Sequence, residues 1–197
     1  MATGRGMHLT KQVGEYLVAA ELGRRSLIAT TFTGNVPHFD ILAAGESSAT
    51  IAVQVKAIKG GAWQFDVRSF VDAKLDGRRQ VLGRSVPAPH PALVCVFVVV
   101  GAYGNDRFFV FSWSDLQRVA ISNYRAFLEK VHGERPQRPD SFHVAVWPKD
   151  LQAFEGKWDL LEARLQGGER ARTRATSRSA RTTRGASGQL LSTARSR

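Results

Sequence analysis

Three polar residues, Asp40, Gln54 and Lys56, are spaced so that an acid, an amide oxygen and an ammonium share one face of a hairpin. The hairpin runs from Phe39 to Ala57, FDILAAGESSATIAVQVKA, with its turn at Gly45 to Ser48. In the second arm Ile51, Val53, Val55 and Ala57 fall on one side, and Gln54 and Lys56 fall on the other. That is the period-two alternation of a half-buried strand. The first arm divides in the same way, with Phe39, Ile41 and Ala43 opposed to Asp40. A turn centred on Ser47 sets Asp40 across from Gln54, and β-carbons opposed in this way lie ~4.5–5.5 Å apart.

Such a trio suits metal-and-phosphate chemistry. Hydrolysing a phosphodiester needs a cation to polarise the phosphoryl oxygen and to activate water. Magnesium takes hard oxygen ligands and keeps several waters, so one carboxylate with one or two further oxygens suffices. Asp40 supplies the charge, and the Gln54 side-chain oxygen and the Val55 backbone carbonyl supply the rest. Lys56 can orient the water or neutralise charge building on the phosphate. Glu15, one helix earlier, completes the acidic shell if that helix packs beside the hairpin. The same residues also suit the solvated polar face of an ordinary edge hairpin, so spacing alone leaves both readings open.

The elements that must position these groups are legible around them. Thr10 to Leu22 predicts a first helix, capped by Thr10 and carrying Val13, Tyr16, Leu17 and Ala20 as its apolar stripe. Gly23 is the expected stop. Leu27 to Phe32 reads as a short strand or extended link, and Thr33 to His38 as a loop that delivers the chain into the hairpin. After the glycines of IKGGAW, WQFDV resumes as a third strand, and Ser69 to Leu82 reads as loop or short helix. Pro87, Pro89 and Pro91 form a rigid connector into Leu93–Val100, whose unbroken apolar run predicts a central strand covered on both faces. Phe108–Phe111 is the next strand, and Ser112 or Ser114 caps a helix from Asp115 to about Ile121. NYRAFLEKVH is a further helical stretch, FHVAVW a last strand, and Asp150–Leu165 contains a last helix. Helix, hairpin, strands and helix in that order predict a mixed α/β fold with a small central sheet flanked by helices.

Charge separates the chain into parts. Of the 197 residues 43% are apolar, enough for one sizeable core, and the net charge of +11 points to a polyanionic partner. Residues 166–197 hold eight arginines against the single acid Glu169, a net of +7, which leaves +4 for the first 165 residues. The expected division is an extension over 1–9, a domain over 10–165, and a disordered Arg/Ser/Thr-rich tail over 166–197. That tail can bind nucleic acid through counterion release, or serve only as a solubilising extension. Cys95 is the sole cysteine, which excludes an internal disulfide. The five histidines show no metal-ligand spacing, and the four tryptophans read as core or rim packing. With no apolar leader and no run near the ~18 residues that span a bilayer, the chain reads as soluble and cytoplasmic, with no membrane partner.

The series GEYLVAAEL, then FDIL, then VQVK resembles the PD-(D/E)XK superfamily of restriction-endonuclease-like nucleases. It is most similar to small uncharacterised members related to archaeal Holliday-junction resolvases, and FFVFSWSDLQ and KWDLL extend the likeness over roughly 10–165. The resemblance implies a restriction-endonuclease-like fold and a magnesium-dependent nuclease acting on DNA, with manganese able to replace magnesium. Glu15, Asp40 and Lys56 match the family's helical acid, metal ligand and catalytic lysine, and Gln54 stands where the family has its second acid. Glutamine keeps the oxygen ligand and removes a negative charge, which weakens the hold on a metal. A homodimer is a further implication, since two strands need two sites. The alternative from a different class is a nucleic-acid-binding protein that kept the scaffold after losing that acid. A third reading is a toxin or defence effector that acts only alongside a neighbouring gene product.

Overall fold

The computed structural model describes residues 4–32, 38–46, 49–90 and 92–165, so the Arg-rich tail over 166–197 lies outside the described residues. A long helix, α1 (Gly4–Arg24), leads into β1 (Ile28–Thr31), β2 (Ile41–Ala44) and β3 (Thr50–Ile58). Then come β4 (Trp63–Asp66), a 3-10 turn at Val67–Ser69, and the pair β5 (Val71–Asp76) and β6 (Arg79–Ser85). The chain continues through β7 (Val94–Val99), β8 (Arg107–Ser112), α2 (Trp113–Lys130) and β9 (His143–Val146) to a 3-10 segment at Pro148–Phe154. Residues 159–165 are helical.

Five of these strands form the central sheet in the order β1-β2-β3-β7-β8, with β3 and β7 parallel and the other neighbours antiparallel. The fold is thus mixed α/β, as expected. β7 has no polar position because both of its faces are covered. Val94, Val96 and Val98 join Val18 and Leu22 of α1 in one core, while Cys95 and Phe97 join Phe109, Phe111 and Tyr124 in the other. Burial raises the Cys95 thiol pKa far above its ordinary value, which keeps it a small apolar core group.

The hairpin register pairs Ile41 with Val53 and Ala43 with Ile51, as the sequence pattern predicts. Helix α1 departs from expectation at both ends and on its buried face. It starts at Gly4, so Thr10 is not a cap; its hydroxyl donates to the Gly6 carbonyl at 2.9 Å. The chain runs on through Gly23 to Arg24, and Ser26 takes the left-handed turn, with φ of 59°. Val13 and Tyr16 are 42% and 57% exposed, and the buried stripe is Thr10, Gly14, Val18 and Leu22. Glycine stands in that stripe where the helix lies almost on the sheet. A β-carbon at Gly14 would stand 2.4 Å from that of Ala57.

WQFDV is a strand as expected, β4, and it pairs with β9 in a separate two-stranded ribbon. Two further expectations need correction. The stretch Ser69–Leu82 is no loop or helix but most of the β5/β6 hairpin, turning at Gly77-Arg78 with Gly77 at φ of 60°. A glycine at the first of the two turn positions supplies the positive φ that a tight hairpin turn needs. The two helical stretches after β8 are one helix, α2, capped by Ser112 in a reciprocal pair with Asp115. No helix among the described residues is long and apolar enough to cross a membrane.

Candidate functional site

β3 outruns its neighbour. β2 begins at Ile41, opposite Val53, while β3 continues to Ile58, so beyond Val53 one edge of β3 has no strand beside it. A buried amide left without a partner costs about 1–3 kcal/mol. Asp40 fills the gap: its amide donates to the Val53 carbonyl at 2.9 Å, and its carboxylate Oδ2 accepts from the Val55 amide at 2.8 Å. The two bonds bracket Gln54, the residue that the register carried one step further would oppose to Asp40. A strand residue's N–H and C=O point to the same edge, so the Val55 carbonyl faces the side that Asp40 occupies. One carboxylate oxygen is thereby fixed, and Oδ1 is left for another partner.

That partner comes from α1. The close seat of Gly14 on Ala57 brings Glu15 and, one turn earlier, Lys11 beside the open edge. The Lys11 ammonium lies 3.4 Å from Asp40 Oδ1 and 3.2 Å from Glu15 Oε1. Partial burial opposes the charge on Lys11, but the hydrogen bond to Glu15 and the charges of Asp40 and Glu15 outweigh it and raise its pKa. Asp40 and Glu15 are therefore brought to one ammonium group. Lys11 was not among the candidate residues. Its signal was the spacing Lys11–Glu15, which places the two side chains on neighbouring turns of one helix face.

Gln54 and Lys56 lie on the other face of the sheet from α1. Their register partners are Cys95 and Phe97, both in the core beneath α2. The Lys56 ammonium stands 5.4 Å from the centre of the Phe65 ring, and its backbone carbonyl accepts from the Trp63 indole at 3.1 Å. Gln54 is half-buried. Lys11, Val55 and Lys56 nevertheless line one cleft of about 750 Å³ between the start of α1 and the end of β3. Lys59 also lines it, and among the described residues no acid does. The Lys56 and Lys59 ammonium groups suit a phosphate-bearing ligand.

No protein-family model matches the chain, and no curated protein matches it. Among solved structures it is similar to a bacterial homing endonuclease. The two share 13% identity at a TM-score of 0.46, over 82% of this chain and 95% of that one.

The donor set at the open edge of β3 fits a hard divalent cation. The Asp40 and Glu15 carboxylates and the Val55 carbonyl are all oxygens, the ligands magnesium and manganese take. The Lys11 ammonium between the two carboxylates marks a place where positive charge is already stabilised. Among the described residues no three His, Cys, Asp or Glu side chains cluster, so neutral oxygens and water would have to complete the shell. Magnesium accepts that arrangement, because it keeps several waters.

Proposed function

We propose that the chain is a magnesium-dependent nuclease that hydrolyses DNA phosphodiester bonds, with manganese able to replace magnesium. The observation that carries this reading is the meeting of two carboxylates at one cation position beside a lysine-lined cleft. The resemblance of GEYLVAAEL, FDIL and VQVK to PD-(D/E)XK nucleases supports it and names DNA as the substrate class. The bound cation would polarise the phosphoryl oxygen and activate water. Asp40, held by the Val55 amide, would be the anchored ligand, with Glu15 and the Val55 carbonyl as the other protein oxygens that would hold the ion. Gln54, on the face away from Glu15, stands outside this set of oxygens. Lys56, inside the cleft, places positive charge where negative charge grows on the phosphate.

Cleavage of plasmid and branched DNA with magnesium tests this reading. Asp40→Ala and Lys56→Ala should each remove cutting, and cutting that survives both changes takes these residues out of the mechanism. A second reading is favoured by Gln54, which lacks the charge of the family's second acid and sits on the face away from Glu15. Under it the protein binds DNA without cutting. Salt-dependent DNA binding with no cleavage, in the wild type and in Gln54→Glu alike, would favour that reading.

A further inference from the structure

We propose that Lys11 is a built-in counter-ion that holds the cation position in the metal-free protein and moves into the cleft when a divalent ion arrives. The inference rests on the reading of Asp40 and Glu15 as cation ligands. Within the cluster, the carboxylates are the fixed and shielded partners, 19% and 15% exposed, whereas the Lys11 side chain is 54% exposed. Asp40 is tied to the Val55 amide at 2.8 Å, and Glu15 follows a glycine that seats its helix on Ala57. Lys11 has no such anchor: its two recorded partners are these same carboxylates. It rides on a flexible four-carbon stem with its charge at the tip.

Two like charges brought this close are costly without a cation between them. An internal ammonium offsets that cost while no metal is bound, which lets the chain keep a prearranged acidic pair. A divalent ion brings twice the charge to the same place and displaces the ammonium. Lys11 already lines the acid-free cleft with Lys56 and Lys59, so it has a second station next to the first. Metal entry would then add a third ammonium to the surface that faces phosphate. Divalent-ion affinity would be lowered by the competition, and the metal-free protein would carry a less positive cleft than the loaded one.

The test is binding and needs no turnover. Manganese is titrated into the full chain and followed by its paramagnetic resonance signal, for wild type, Lys11→Met, Lys11→Gln, Lys11→Arg and Asp40→Asn. Removal of the competing charge in Lys11→Met and Lys11→Gln should tighten manganese binding by about tenfold or more, equal to about 1.4 kcal/mol. Lys11→Arg keeps the charge and should stay near wild type, and Asp40→Asn should lose the site. If the two neutral variants bind no tighter than wild type, while Asp40→Asn still abolishes binding, the role of Lys11 is overturned and the metal site stands. If none of the proteins binds manganese, both fall together. Circular dichroism melting of each variant separates a folding failure from a change in affinity, and either neutral variant alone is enough for the comparison.

Discussion

Gly14→Ala is the perturbation that tests how the site is assembled, because this glycine lets α1 reach the sheet. The added β-carbon would stand 2.4 Å from the Ala57 β-carbon, so helix and strand must part by about 1 Å to regain ordinary contact at 3.4 Å. Overpacking of this kind costs about 1–3 kcal/mol, and a contact between two backbone-fixed β-carbons belongs at the upper end. Alanine returns about 1 kcal/mol of helix propensity, leaving a net loss of about 2 kcal/mol. For a domain of this size that lowers the Tm by roughly 4–8 °C. Gly23 in the same helix supplies the control, since nothing lies within 4 Å of its would-be β-carbon. Gly23→Ala should therefore be neutral or stabilising by up to about 1 kcal/mol. The assay is urea unfolding of both variants and of the double change Gly14→Ala with Ala57→Gly, which should recover about 1–2 kcal/mol as a coupling term. Gly14→Ala as stable as Gly23→Ala, or no coupling with Ala57→Gly, would refute the close seat.

Two other outcomes follow from contacts elsewhere. Glu21 is partly buried, which raises its pKa, but hydrogen bonds from Arg25 and Arg24 prevail and hold it below the ordinary glutamate value. A lowered folded-state pKa means its contribution is present above 4.5 and is lost as pH falls through the lowered value. The advantage of wild type over Glu21→Gln, about 0.5–1 kcal/mol at neutral pH, should therefore vanish in acid unfolding titrations. At the start of α2 the Ser112 hydroxyl accepts from the Asp115 amide at 3.2 Å, and Asp115 Oδ2 accepts from the Ser112 amide at 3.1 Å. Ser112→Ala should cost about 1 kcal/mol in denaturant unfolding, whereas Ser122→Ala, on the same helix away from the cap, should cost little.

The parts of the fold that the sequence revealed are those where burial leaves an alternating or unbroken apolar pattern. β7 was legible because two cores leave it no polar position, and the β2/β3 register followed from where the turn residues lie. The face of α1 was not legible. Hydrophobicity pointed to Val13 and Tyr16, but close approach to the sheet selects size, and Gly14 and Thr10 are what fit. The β5/β6 hairpin was hidden by polar strands, although Gly77 marked its turn. At the site, residue types and spacing singled out Asp40, Gln54, Lys56 and Glu15. The structure brings Asp40 and Glu15 together and sets Gln54 and Lys56 on the sheet's other face. Lys11 escaped notice because an i,i+4 Lys–Glu pair on a helix usually signals a solvated face. Its second acid lies 29 residues away in the chain, where only the fold could bring it near.

A crystal of the full chain soaked in manganese, with anomalous scattering recorded at the manganese edge, tests the central claim most directly. The account predicts one strong peak within ligand distance of the Asp40 carboxylate and the Val55 carbonyl, with the Lys11 ammonium displaced toward the cleft. Lys11 still seated between Asp40 and Glu15, with no peak at that edge of β3, would contradict it.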